Sequence, residues 1–170
     1  MSTGLKRDAG PIFELLEADH QRLDGLLARA VADPSRIDRE ACDAFRHGLL
    51  RHIAMEEKVL LPEAMRRSGK SLPVARILRL DHAALAALLV PTPTPEGIST
   101  IGRILSEHNP LEEGPEGLYA TCERLVGAQA DALVERMRAL PPVKVAAHFD
   151  GPRIHQHIEQ LLRARDQGRR

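Results

Sequence analysis

Apolar positions along this chain recur at alternating steps of three and four residues and never at strict steps of two, the pattern of helices with one buried face. Leu, Ala, Arg and Glu dominate, all good helix formers, so the expected class is all-α. Breakers set the boundaries. A first helix is expected from about Pro11 to Val31, closed by Asp33-Pro34-Ser35, and a second from near Ser35 to Ser68-Gly69-Lys70-Ser71. A third runs from about Leu72 to Val90, before PTPTPEG interrupts. A fourth runs from near Glu96 to His108, with a break at Asn109-Pro110. Gly114-Pro115 starts another helix, lasting to about Leu140, and Pro152 to Arg165 forms a last one before a solvated tail, DQGRR. Short connections predict an up-down-up-down four-helix bundle with additional C-terminal helices. Residues 1–140 form the bundle with an appended helix over 115–140, and residues 141–170 form a C-terminal helix with a basic tail.

Polar residues interrupt the apolar seams at matching places. The first seam reads Phe13, Leu16, His20, Leu23, Leu27, Ala30, and the third reads Ala75, Leu78, His82, Leu85, Leu89. The second reads Phe45, Leu49, His52, Glu56, Val59, and the fourth Ile98, Ile101, Leu105, His108, Glu112. Each seam carries one histidine, and alternate seams add a glutamate four residues on, one turn along the same face. The sequence also repeats: LEADHQRLDGLL around His20 resembles LRLDHAALAALL around His82, and HIAMEEKVLLP from His52 resembles HNPLEEGPEGLYA from His108. A two-helix unit with Asp-His on its first helix and His-x-x-x-Glu-Glu on its second occurs twice, implying two-fold internal symmetry and a symmetric two-metal site.

Burial makes this pattern demanding. An unpaired buried carboxylate costs several kcal/mol and an unsatisfied imidazole about 1–3 kcal/mol, against a total stability of about 5–15 kcal/mol. Six such groups on the seams call for a compensating cation. Four imidazoles and two carboxylates without a thiolate suit iron or manganese rather than copper(I) or structural zinc. Glu-x-x-His, the ferritin-type element, occurs only at Glu17 to His20, off the seam.

The ordered series His, His-x-x-x-Glu, His, His-x-x-x-Glu, with its Asp-His and Glu-Glu contexts, resembles the hemerythrin-like or HHE cation-binding family over about Pro11 to Glu113, in a four-histidine, two-glutamate form. The resemblance implies two iron ions with an oxo or hydroxo bridge, with manganese or a mixed pair as alternatives. One ion would take His20 and His52, the other His82 and His108, and Glu56 and Glu112 would bridge them. Oxygen-carrying hemerythrins have a fifth histidine where this chain has Ala86, so each ion keeps exchangeable positions. The chain resembles instead relatives linked to iron-sulfur cluster repair, nitric-oxide stress or iron and oxygen sensing. A capping box of Asn109, Pro110 and Glu112 would leave Glu113 as the bridge instead, whereas the four-residue offset of the first repeat favours Glu112.

The function expected is binding or sensing of dioxygen, nitric oxide or iron, with a protein partner meeting the C-terminal helices. The alternative is a redox enzyme acting on peroxide or nitric oxide, or releasing iron for cluster repair. Asp19 and Asp81 either anchor a ring N–H or stay solvated, and Glu57 is expected in solvent or in a salt bridge. His47, His148, His155 and His157 are expected on the surface. Tyr119, the only tyrosine, lies beyond the span of the ligands, which argues against a tyrosyl radical.

Composition removes other classes. Twenty-four basic and twenty-four acidic residues leave a formal net charge of +0, and the four aromatics supply no base-stacking platform, so neither nucleic acid nor an anionic membrane is an expected partner. The longest apolar run, Ala83 to Val90, is eight residues, well short of the about 20 needed to span a bilayer. Lys6 and Arg7 precede Gly10, Pro11 and Glu14 rather than an apolar stretch, so no signal peptide is read and a cytoplasmic location is expected. Cys42 and Cys122, far apart and outside any Cys-x-x-Cys, are expected to be reduced packing residues.

Overall fold

Four antiparallel helices enclose a buried polar layer in the computed structural model, which describes residues 9–170. Lys6 and Arg7, used in the reading of the N-terminus, lie outside the described residues. The bundle consists of α1 (Pro11–Ala30), α2 (Arg39–Met55) continued through a π turn (Glu56–Leu60) into α3 (Leu61–Ser68), α4 (Ala75–Leu88) and α5 (Pro95–Glu113). Three further helices follow: α6 (Leu118–Val126), α7 (Ala130–Arg138) and α8 (Pro152–Gly168). No strand occurs among the described residues, and no helix is long and apolar enough to cross a membrane.

Local chemistry explains the boundaries. Asp38 accepts the Ala41 N–H at the start of α2, and Thr94 accepts the Gly97 N–H at the start of α5, whose first residue is Pro95. Gly69 ends α3 in the left-handed region at φ 73°, open to glycine without strain. The α1 terminus has no cap of its own; Glu123 of α6 accepts from Ile12 N at 2.6 Å and Phe13 N at 3.1 Å. The π turn ends two residues before Pro62, whose ring would crowd the carbonyl four residues earlier, within the turn, in a regular helix.

The structure differs from the sequence expectations in four places. There is no break at Asn109-Pro110: α5 runs through Pro110, whose ring is on the exposed side, and Gly114 N still bonds to Pro110 O. The single helix expected from Gly114 to Leu140 is two, divided at Gly127, which takes φ 56°. Ile12 rather than Phe13 is the fully buried seam residue at the start of α1, because Phe13 packs edge-on to Tyr119 at the rim. The tail is not frayed: α8 continues to Gly168 along α4, Arg165 is 1 % exposed, and Arg169 pairs with Asp81.

Two apolar clusters flank the polar layer. One joins Leu16, Leu60, Leu78, Leu118 and Met137 beneath α6 and α7; the other joins Leu23, Phe45, Leu49, Leu85 and Ile104, with Leu161 and Leu162 of α8 against its side. Arg165 Nε donates to Asp81 at 2.7 Å and its Nη2 to Glu107 at 2.5 Å, which fixes the end of α8 to α4 and α5. Removing one member of a buried ion pair strands the other. Arg165→Met is therefore expected to destabilise the fold towards the lower end of about 3–5 kcal/mol, since Arg169 still faces Asp81. Chemical denaturation checks this, and an unchanged midpoint would show that the pair contributes nothing.

Candidate metal centre

His20, His52, Glu56, His82, His108 and Glu112 converge at mid-bundle, all at most 5 % exposed. They form two groups sharing both glutamates: His20, His52, Glu56 and Glu112, and Glu56, His82, His108 and Glu112. Within each group one atom per residue lies within 4.8 Å of every other, and each group could hold a metal ion.

The two carboxylates divide their oxygens between the groups. Glu56 Oε1 is 3.3 Å from His52 Nε2, while Glu56 Oε2 is 3.1 Å from His82 Nε2. Glu112 Oε2 is 3.3 Å from His20 Nε2, while Glu112 Oε1 is 2.9 Å from His108 Nε2. Donors at roughly 2.0–2.2 Å from one ion stand about 2.8–3.1 Å apart when adjacent in an octahedron, close to these separations. Three of the atoms, Glu56 Oε2, His82 Nε2 and Glu112 Oε1, are buried with no hydrogen-bond partner among the described residues although they face one another. Lone pairs aimed at a common point fit a cation between them and are otherwise costly.

Every histidine presents Nε2 inward because a carboxylate takes its Nδ1. His52 Nδ1 lies 2.9 Å from Asp19, His82 Nδ1 2.7 Å from Glu57, His108 Nδ1 3.0 Å from Asp81, and His20 Nδ1 2.5 Å from Glu113. Each of these carboxylates is the immediate chain neighbour of an inward-facing residue on another helix. Glu57 also receives Arg79, and Asp19 receives Arg22. The open reading of Asp19 and Asp81 is thus resolved in favour of ring anchors, and Glu57 is bound to a histidine as well as to an arginine. Glu112 occupies the centre and Glu113 the rim, so the capping box does not form.

The residue missed from sequence is Tyr119. Its hydroxyl is fully buried among the first group, 2.7 Å from Glu56 Oε1, 3.0 Å from Glu112 Oε2, 3.2 Å from His20 Nε2 and 3.3 Å from His52 Nε2. The GPEG turn brings it there by reversing the chain after α5. A Cβ at Gly117 would stand 2.5 Å from the Glu112 carbonyl oxygen, so the reversal needs glycine. The signal in the sequence was a lone tyrosine seven residues after Glu112, behind two glycines and a proline. The remaining histidines behave as expected: His47, His148, His155 and His157 are exposed, and His47 bonds to its own helix. Cys42 and Cys122 are both unpaired thiols, and burial pushes Cys122 up to about 12.

Without metal, protons stand in for it. Burial works against a charged imidazole, yet Glu56 and Asp19 outweigh it and raise His52 to about 10; Glu112 and Asp81 do the same for His108, to about 9. A pKa raised above its unfolded value of about 6.5 contributes stability below that pH and loses it as pH rises through the folded value. The metal-free protein is expected to lose melting temperature from about pH 6.5 towards pH 9–10. Thermal unfolding of the apoprotein across that range checks this, and a flat profile contradicts it.

A family model described as Hemerythrin HHE cation binding domain matches residues 12–114, more than half of the chain. The matched segment contains all six central residues and ends at Gly114, where the turn that delivers Tyr119 begins. No curated protein and no solved structure matches the chain.

Proposed function

The chain belongs to the hemerythrin HHE cation-binding family, and from that premise we propose that it holds two iron ions and binds or senses dioxygen or nitric oxide at one of them. The observation that supports this most is the split of both glutamates, one oxygen to each group, which suits a carboxylate-bridged pair rather than a single ion. Bound iron supplies one-electron redox chemistry and coordination positions open to a small ligand.

The chain's own residues make the two positions unequal. His20, His52, Glu56 Oε1, Glu112 Oε2 and the Tyr119 oxygen give the first group five donors. His82, His108, Glu56 Oε2 and Glu112 Oε1 give the second four, with Ala86 rather than a further donor one turn beyond His82. The second position is therefore the one with room for an exogenous diatomic. Burial and the two carboxylates raise the Tyr119 phenol well above its ordinary value in the metal-free protein, and a trivalent ion beside it reverses that preference. Asp19, Glu57, Asp81 and Glu113 keep the four rings in the tautomer that offers Nε2, and the leucines on either side exclude bulk water. Manganese or a mixed pair fits the same donors, and the spectrum separates them from iron.

Metal analysis of the purified chain is expected to return two irons, and removal of the metal is expected to lower the melting temperature by many degrees. Anaerobic reduction followed by dioxygen or nitric oxide should change the near-ultraviolet and visible spectrum. No metal, or a reduced spectrum that neither gas alters, overturns the reading.

The tyrosine gives an independent check. The ferric protein should show a visible phenolate-to-iron charge-transfer band that Tyr119→Phe removes while leaving both irons bound. A band that survives the substitution would show that Tyr119 is not a ligand. Glu56→Ala, by contrast, should lose metal from both positions.

A further inference from the structure

A second buried polar feature lies away from the metal centre. At the end of the bundle beyond the Leu23, Leu49, Leu85 and Leu105 layer is a cavity of about 440 Å³, walled mainly by Leu27, Phe45, Leu89, Ile101 and Leu162. Each layer leucine stands three residues from a central histidine along its helix, and the cavity begins a turn further on, so it does not open onto the centre. The extended segment before α8 roofs it, held by Phe149 N to Val90 O and by Asp150, which accepts from Thr92 N and Oγ1.

Into this apolar space faces Arg46. It is only 8 % exposed, makes no ion pair with any described residue, and its Nε has no hydrogen-bond partner. The other ionisable groups at the wall are committed or peripheral: Asp150 bonds to Thr92, His148 to the Val90 carbonyl, and Glu96 and His155 are exposed at the rim. Cys42 remains a thiol, since burial and neighbouring Asp38 and Asp43 raise it. The guanidinium fork has no anion among the described residues, and its planar geometry matches a carboxylate.

We propose that this cavity binds an apolar monocarboxylate, of the size of a medium-chain fatty acid, with its carboxylate on Arg46 and its chain along the leucine and phenylalanine wall. The volume falls within the usual range for small-molecule sites of about 300–1,000 Å³, and with Asp150 bonded to Thr92 and Glu96 at the rim, Arg46 is the cation left to meet a carboxylate on an apolar body. The roofing segment and α8 then close over a ligand rather than over water. A charge-assisted hydrogen bond to a buried group separates an anion from its neutral analogue by about tenfold or more.

Calorimetric titration of the metal-loaded full chain with decanoate and with decanol tests this. Decanoate is expected to bind at least about tenfold tighter than decanol, without shifting any metal absorption band. Arg46→Met, which removes the charge but keeps the bulk, is expected to bring the two within about twofold, and Arg46→Lys to restore part of the preference. Leu27→Phe, which places a ring in the cavity, should weaken both ligands while leaving the metal spectrum intact. Equal binding of decanoate and decanol to the wild type, no binding of either, a preference that Arg46→Met leaves unchanged, or metal bands that move on binding would overturn the proposal.

Discussion

Two carboxylates and four imidazoles packed at the centre of an apolar bundle cannot stand by themselves, and the surrounding architecture follows from how that problem is solved. Burial disfavours each charge, so the groups must share either protons or cations. The solution is a closed ring of hydrogen bonds. Asp19 of α1 holds His52 of α2, Glu57 in the π turn holds His82 of α4, Asp81 of α4 holds His108 of α5, and Glu113 of α5 holds His20 of α1. Neighbouring residues on a helix point about 100° apart, so one member of each Asp-His or Glu-Glu pair faces the centre while the other reaches the next helix. Pairing of the helices and orientation of the ligands are thus the same interaction, and a change in either disturbs both.

The ring also explains two irregularities in the backbone. The π turn from Glu56 to Leu60 widens the helix where Glu56 must turn inward and Glu57 must reach α4, and it brings the chain to Pro62 without a clash. On α5 the corresponding pair closes the helix, and Gly114 and Gly117 let the chain double back tightly beneath it. The internal repeat therefore uses one pattern of side chains on two different backbones.

These backbone differences mark the limit of what sequence reading reached. The six central residues were legible because each lies on an apolar seam, and helical periodicity reports the face of a residue directly. Asp19, Glu57, Asp81 and Glu113 lie one residue off the seam, where the same periodicity assigns them to solvent or leaves them undecided; only the angle between packed helices tells otherwise. Tyr119 depended on a reversal whose direction the GPEG segment does not declare. The tail was misread because Arg165 and Arg169 look like ordinary surface charge until Asp81 is seen to be fully buried and facing them.

The C-terminal helices break the symmetry that the repeat creates. The hydroxyl on α6 enters only the first group, whereas Arg165 of α8 and the following Arg169 pair with Asp81, which holds a histidine of the second. With the α6 hydroxyl on one side and the α8 charge behind a ring on the other, the two groups have unequal surroundings. On the proposed reading, a symmetric bundle would offer a diatomic two equivalent positions, and it is the residues added after the repeat ends that would distinguish them. The same α8 that braces Asp81 also forms part of the wall of the Arg46 cavity through Leu162.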